Sequence, residues 1–286
     1  MTSRETQNTR YNVMNHESHG TPDKPYKTLI AMPCSEMMHS DTAFDLISMR
    51  RVGDTRVGHT KMTMIHDARN TFAERAINEG YDRVLWIDSD MRFGPDVLER
   101  LSADMDVLGL DYVSALCFKR VYPTAPVIYD DMFHLSDAPG MYGVHIYRDY
   151  PKDQLFKIAA SGFGCVLTSV QLLKDVWDNF GPPFNYVANL GEDMSFCYKV
   201  AELGVDMWCD SSVKVGHIGC AVFSESTYQE QLNSEQTYQE QSNGEQAFTE
   251  QSEAETGHAE QAQNVPSAQA VQNMDSAIRT AQNGGD

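Results

Sequence analysis

The chain has 286 residues, of which 41% are hydrophobic and 22% are charged, enough for one sizeable globular domain or two small ones. No apolar run reaches the roughly 18 residues that span a bilayer, and the polar start MTSRETQNTRYNVMNHESHG lacks the apolar core of a secretory signal. Six cysteines without a CxxC pair favour a reducing cytoplasm, and a net charge of −19 without a basic stripe argues against tracking of a nucleic-acid backbone.

The pattern of apolar residues divides the chain into three regions. Residues 1–25 are polar and aperiodic, which predicts a flexible segment. From 26 to 222, short apolar runs alternate with amphipathic stretches, the pattern of one α/β domain. The predicted elements are a strand at 26–32, a helix at 66–80, a buried strand at 83–87, a helix at 95–103, strands at 111–118 and 158–169, helices at 169–180 and 192–204, and a strand at 205–209. This order predicts a mostly parallel central sheet flanked by helices, whose ligands gather beyond the carboxyl ends of the strands.

The third region, 223–286, contains a decapeptide repeat: SESTYQEQLN, SEQTYQEQSN, GEQAFTEQSE and a decayed AETGHAEQ. This region contains 11 acidic residues and one basic residue, Arg279, so its net charge is −10 and that of the rest of the chain is −9. One aromatic residue per repeat (Tyr228, Tyr238, Phe248) cannot form a core stripe, and the composition buries too little apolar surface to offset the entropy of ordering. We predict a disordered tail; a helix or coiled coil that forms with a partner is the alternative.

The stretch RVLWIDSDMRF places Asp88 and Asp90 directly after the buried strand at 83–87. If the chain stays extended, residues i and i+2 point the same way and both carboxylates can converge on one cation. Two close carboxylates without a counter-charge raise one pKa, and a divalent ion with oxygen ligands removes that penalty. A solvated turn with aspartate as turn former is the structural alternative.

Two further motifs follow in order along the chain. NLGEDMSFCYKVAELG places Glu192 and Asp193 in the first turn of a helix, where the helix dipole favours anions. VKVGHIG places His217, flanked by Gly216 and Gly219, after the last strand. Each motif alone has an ordinary explanation, as helix-start decoration or as an exposed histidine. The fact that both motifs follow the two aspartates in this order is more informative about function than either motif alone.

The ordered set resembles the nucleotide-sugar glycosyltransferases of the GT-A fold, and it is most similar to family-2-like members, including those encoded by bacteriophages and prophages. The resemblance spans about Lys27 to Gly219 and is carried by LIAMPC, DARN, VLWIDSDM, SGFGCVL, GEDMSFCYKVAELG and VKVGHIG. It implies a UDP- or GDP-sugar donor, Mn²⁺ or Mg²⁺, and the cytoplasm of the host if the protein is phage-encoded. The acceptor stays open among a glycan, a protein, a small molecule and a modified DNA base.

The resemblance also implies roles for individual residues. Asp88 and Asp90 look like the pair that holds the metal ion against the donor diphosphate, with His217 as a further ligand. Asp193 looks like the general base of inverting members, and Glu192 like a residue that positions the acceptor or the base. The donor is expected to contact Ala31, Met32, Pro33, Asp67, Arg69, Asp88, Ser89, Gly162 and Gly164. For the two glycines, a packed strand weakened by glycine is the alternative.

Departures from the family narrow the expectation and leave other classes open. The chain lacks the Gln/Arg-x-x-Arg-Trp motif and the membrane helices of processive members, and no second donor-face nucleophile is evident, which favours inversion. The acceptor pocket is expected at 184–190 and 118–134, by analogy of fold. The alternatives are a haloacid-dehalogenase-like phosphatase, a nucleotidyltransferase of related fold, and a non-catalytic nucleotide-sugar-binding protein.

Overall fold

The computed structural model describes residues 25–61 and 63–236, so most of the predicted flexible start and the tail beyond 236 lie outside the described residues. The chain divides into two units, Met1–Gln229 and Glu230–Asp286, and the first holds the α/β domain. The strands are β1 (Lys27–Pro33), β2 (Asp54–Thr60), β3 (Arg83–Ile87), β4 (Met91–Arg92), β5 (Tyr112–Leu116), β6 (Ile128–His134), β7 (Tyr142–Ile146), β8 (Leu155–Ile158), β9 (Ala160–Ser161), β10 (Cys165–Ser169), β11 (Met207–Lys214), β12 (Gly216–Ile218) and β13 (Val222–Phe223). The helices are α1 (Ser40–Ser48), α2 (Ile65–Asn78), α3 (Val97–Leu108), α4 (Val170–Phe180), α5 (Glu192–Glu202) and α6 (225–236).

The central sheet has seven strands in the order β2-β1-β3-β10-β5-β11-β8. Five of them, β2, β1, β3, β5 and β11, run in one direction, and β10 and β8 run against them. The predicted α/β class, with a mostly parallel sheet flanked by helices, is therefore confirmed. Two three-stranded sheets, β13-β12-β4 and β7-β6-β9, are built from segments that follow β3. Among the described residues, no helix is long and apolar enough to cross a membrane.

All residues of strand β3 are buried, and their side chains pack on both faces of the sheet. Leu85 and Ile87 join the core that α3 covers. On the other face, the Trp86 ring lies 5.0 Å from that of Phe184, and its Nε1 donates to Thr168 Oγ1 at 3.0 Å. A strand that is covered on both faces requires a continuous apolar run. Because β3 is packed in this way, it fixes the position of the residues that follow it.

Most predicted elements are present with shifted bounds. The helix predicted at 66–80 is α2, which ends at Asn78 before Gly80 adopts a φ of +65°, as its predicted role as a stop requires. The single strand predicted at 158–169 is wrong. The chain changes sheets there, because β9 pairs with β6 whereas β10 pairs with β3 and β5.

The predicted start of the tail at residue 223 is too early. Phe223 lies in β13, which pairs with β12, and helix α6 follows from 225 to 236. The Tyr228 side chain is only 2% exposed, and its ring lies 5.6 Å from that of Phe118. One aromatic residue per repeat cannot form a continuous stripe, but Tyr228 can still pack individually against the domain. The sequence pattern does not predict this contact.

Candidate active site

The two aspartates lie in a turn at the carboxyl end of β3. The strand ends at Ile87, Ser89 and Asp90 form the turn, and β4 begins at Met91. The expectation of an extended chain through both aspartates is therefore wrong. The chain turns because β4 pairs with β12 instead of continuing the central sheet, and as a result the two carboxylates face different partners.

Arg69 of α2 links the first aspartate to the start of α5. Its Nη2 lies 3.0 Å from Asp88 Oδ1, and its Nε lies 3.6 Å from Glu192 Oε1. The guanidinium is buried, with its Cζ 5.2 Å from the centroid of the Phe163 ring. Within the described residues, Nε and Nη1 make no hydrogen bond. One buried cation thus joins two motifs that are far apart in the sequence.

Asp90 faces a histidine and a second arginine. The pairing of β12 with β4 sets His217 opposite Met91, and the Ile218 amide donates to the Asp90 carbonyl at 2.8 Å. This register brings His217 Nε2 to 3.4 Å from Asp90 Oδ2, and Arg120 forms an ion pair with the same oxygen. The predicted partners Asp90 and His217 are therefore neighbours. Nothing in the sequence distinguishes Arg120 from an ordinary surface arginine.

The environment of His217 suits a cation. Its Nδ1 lies 3.0 Å from the Phe118 carbonyl, which can only accept, so Nδ1 donates and the neutral ring presents an acceptor at Nε2. That nitrogen faces a carboxylate, so either the ring is protonated or a cation belongs between them. Two carboxylates and an imidazole are ligands that Mn²⁺ accepts. As they stand, no three His, Cys, Asp or Glu side chains among the described residues are arranged to hold an ion, and both aspartates are paired with arginines.

Shifted pKa values show that these charges act on one another. Burial raises the pKa of Asp88 by more than the Arg69 charge lowers it, and the charge of Asp90 adds to the rise. Burial also acts to raise the pKa of Asp90, but the hydrogen bond and charge of His217, with Arg120, outweigh it and the pKa is lowered. Burial acts to lower the pKa of His217, and Asp90 outweighs it, so that pKa is raised. Of the two aspartates, Asp88 is the one whose ionised form a further cation would favour against the effect of burial.

Asp193 lies in the first turn of α5, in the same electrostatic environment. Burial and the charge of Glu192 raise its pKa to about 6, whereas the Met194 amide and the Arg69 charge act to lower it. The amide donates to Asp193 Oδ1 at 2.7 Å. The charge of Asp88 also contributes to the rise. A carboxylate with this pKa is ionised at neutral pH and is basic enough to take up a proton.

Gly162 and Gly164 have different surroundings. A Cβ placed on Gly162 would lie 3.3 Å from Cγ1 of Val127 and 3.7 Å from Asp193 Oδ2, so this backbone packs on Val127 and borders the carboxylate of α5. A Cβ on Gly164 would lie 3.2 Å from the sulfur of Met91 and would crowd the core. The Gly164 carbonyl also accepts the Asp88 amide at 3.2 Å. Close packing therefore accounts for both glycines, and of the two it is Gly162 that also borders the carboxylate of Asp193.

The other predicted donor contacts lie at the end of β1, in the turn after β3 and at the start of α2. Ala31 and Pro33 are buried in β1, so the groups that β1 can present are mainly backbone atoms. The Ser89 carbonyl accepts the amide of His39, from the segment after β1. The carboxylate of Asp67 is exposed and lies 3.3 Å from the neighbouring histidine. None of these residues contributes to the arginine-linked cluster.

The segment expected to meet the acceptor is held by two side chains that the sequence motifs contain but did not explain. Asn70 Oδ1 accepts the amide of Phe184 at 2.9 Å. Lys199 Nζ donates to the carbonyls of Pro183 and Asn185, at 2.9 and 2.8 Å. Burial lowers the pKa of Lys199 to about 8. Helices α2 and α5 thereby fix the start of the segment 184–190.

Comparisons with known proteins find no matching family model and no matching curated protein. Among solved structures, the crystal structure of A197 from STIV matches with a TM-score of 0.48 and 15% identity, over 68% of this chain and 86% of that one. The crystal structure of GalNAc-T7 with UDP, GalNAc and Mn²⁺ matches with a TM-score of 0.47 and 12% identity, over 68% of this chain. The match covers 43% of the GalNAc-T7 chain. These likenesses are too slight to assign a family or an activity.

Proposed function

We propose that the chain is a metal-dependent glycosyltransferase that moves a sugar from a nucleoside diphosphate sugar to an acceptor hydroxyl, with inversion at the sugar. The observation that supports this most strongly is the position of Arg69 between Asp88 and Glu192. Because one buried guanidinium contacts both, the aspartate pair after β3 and the acidic pair of α5 belong to one site. Sugar transfer requires groups that handle an anionic leaving group beside a group that accepts a proton.

The donor side of the proposed site consists of cationic and metal-ligating groups. Asp88, Asp90 and His217 are the residues that would hold a divalent ion, which when bound supplies charge neutralisation at the diphosphate leaving group. Arg69 and Arg120 add positive charge beside the aspartates.

The acceptor side of the proposed site is the first turn of α5. Asp193 takes the proton of the acceptor hydroxyl while that oxygen forms a bond to the anomeric carbon. The bond from this carbon to the phosphate oxygen breaks, and its electron pair leaves with the nucleoside diphosphate. Glu192, held by Arg69, orients the acceptor or the base. A pKa of about 6 keeps Asp193 ionised at neutral pH.

Calorimetric titration of UDP-, GDP- and dTDP-sugars with and without Mn²⁺ tests the proposal, followed by an assay for release of the nucleoside diphosphate. We expect binding of at least one donor in Mn²⁺, and turnover that stops in EDTA. Asp90→Asn should lose metal-dependent binding, whereas Asp178→Asn, an exposed carboxylate on α4, should behave as the parent. Full turnover in EDTA would remove the metal assignment. Release of inorganic phosphate from simple esters without donor binding would favour the phosphatase alternative.

A further inference from the structure

The start of the first repeat is anchored to the α/β domain by two side chains. Glu225 Oε1 accepts from a tyrosine hydroxyl at 2.9 Å and lies 3.4 Å from a lysine Nζ, and its Oε2 lies 2.8 Å from a second lysine. Tyr228 is buried and its ring lies against a phenylalanine ring. The domain residues that receive these anchors, here called the seat, are Phe118, Tyr150, Lys152 and Lys214. The seat thus combines an aromatic surface with two cations.

Two further side chains of the repeat shape the turn that leads into α6. The Ser224 amide donates to Thr227 Oγ1 at 3.3 Å, and this hydroxyl donates to the Val222 carbonyl at 3.1 Å. The helix therefore begins with a side-chain cap, and the cap fixes the direction in which the two anchors enter the seat. Ser224, Glu225, Thr227 and Tyr228 are the side chains that dock and cap the repeat.

The second repeat carries the same four side chains at the same spacing. SESTYQEQLN and SEQTYQEQSN are identical at eight of ten positions. The differences are at Ser226, whose hydroxyl lies 2.8 Å from that of Ser224 and which is glutamine in the second repeat, and at Leu232. The third repeat, GEQAFTEQSE, keeps the glutamate and an aromatic residue but loses the cap. The fourth, AETGHAEQ, keeps the glutamate and has histidine in place of the aromatic residue. In sequence, the array is a graded series of copies of the first repeat.

In a continuous helix, equivalent side chains of successive repeats would point in different directions. Ten residues make about 2.8 turns of α-helix, which leaves equivalent side chains of successive repeats about 80° apart around the axis. One continuous helix therefore cannot present two repeats to the same surface, and the seat accepts one repeat at a time. The seat offers Lys152 and Lys214 to an acidic segment, so the charges of seat and repeat are complementary.

We infer that the seat is a docking site for Ser-Glu-x-Thr-Tyr segments and that its alternative occupant is the second repeat of the same chain, Ser234 to Tyr238. Exchange lengthens the connection from β13 to the docked repeat by ten residues, and closing a loop of that length has an entropic cost that the first repeat avoids. The first repeat occupies the seat in the native chain because it has the shorter connection. The second repeat takes its place when the first is impaired.

Hydrogen exchange of the full-length chain, read by mass spectrometry, tests this exchange directly. In the parent, amides of 224–231 should be protected. In Glu225→Ala/Tyr228→Ala, that protection should be lost and new protection should emerge at 234–241. The matched control Glu235→Ala/Tyr238→Ala should keep the parental pattern. The variant with all four substitutions should lose protection in both repeats and melt below the first variant.

Protection of β1 and β3 reports whether each variant is folded. If Glu225→Ala/Tyr228→Ala does not fold, Tyr228→His, which copies the fourth repeat, provides the same readout with a smaller change. A folded variant without new protection at 234–241 overturns the proposal. New protection that grows with protein concentration also overturns it, because the occupant is then the repeat of a second copy.

Discussion

Replacing Arg69 by methionine tests whether the site is held together by one shared counter-charge. Methionine keeps an unbranched apolar stem but removes the guanidinium, which leaves Asp88 and Glu192 facing each other without it. Breaking a buried ion pair costs about 3–5 kcal/mol. The side chains of Asp88 and Glu192 are 27% and 16% exposed, so solvent screens part of the loss and we take the lower end, about 3 kcal/mol.

Thermal unfolding of the full-length chain measures this loss. About 2–4 °C per kcal/mol is usual for a domain of this size, so Arg69→Met should lower Tm by about 6–12 °C. The control is Arg75→Met on the same helix, whose ion pair with Glu79 has 40% and 47% exposed side chains. Such a pair contributes about 0.3–0.5 kcal/mol, which predicts a change of about 1–2 °C.

The pH dependence of the Arg69→Met deficit provides a second readout. Burial raises the pKa of Asp88 and the Arg69 charge opposes that rise, so without the guanidinium the folded variant takes up this proton at a higher pH than the folded parent. The deficit should therefore be largest near neutrality and shrink as the pH falls and Asp88 becomes protonated. Equal Tm changes in Arg69→Met and Arg75→Met, or a deficit independent of pH, would refute the reasoning.

Asp193→Asn should bind donor and Mn²⁺ as the parent does but transfer the sugar about 10²–10⁴ times more slowly, measured at donor saturation; transfer near the parental rate would place the base elsewhere. Because burial and Glu192 raise the pKa of Asp193 to about 6 and the base acts when deprotonated, the transfer rate should rise with pH through about 6 and then level. A profile that is flat through this range would contradict that role. Truncation after Ser224, which leaves β13 intact, should lower Tm because it removes Tyr228 from its seat, whereas truncation after residue 236 should not; equal Tm values would contradict the docking of the first repeat.

The central sheet could be predicted because its inner strands are covered on both faces and read as continuous apolar runs. β3 is the clearest case: the predicted strand is present, and Asp88 follows its carboxyl end. The edge strand β2 was missed. Among the described strands it pairs with β1 alone, and Val57 is exposed, so its sequence DTRVGHT shows neither an apolar run nor a clean alternation. Edge strands are set by their partner more than by their own pattern.

The contacts within the candidate site depend on packing between distant segments, which a local pattern does not encode. Arg120 reaches Asp90 because the chain after β5 passes beside β12. The spacing of the two residues in the sequence does not predict this contact. Lys199 looks like the basic residue of an ordinary helix end, yet it binds the carbonyls of a loop. For Arg69, Asp88 and Glu192 the resemblance named the residues, and the structure adds that they touch.

The balance of charge in the site leads to a last prediction about the order of events. Four carboxylates face two guanidinium groups and one imidazole: Asp88, Asp90, Glu192 and Asp193 against Arg69, Arg120 and His217. A diphosphate arriving alone adds negative charge to an acidic site, and a cation arriving alone meets aspartates already paired with arginines. When both arrive, the arginines can pass from carboxylate to phosphate oxygens while the aspartates take the cation.

Donor and Mn²⁺ should therefore raise each other's affinity by the same factor, since binding free energies are reciprocal. Calorimetry of each ligand in the presence and absence of the other measures both factors. Independent binding of the two would show that the arginines do not change partners.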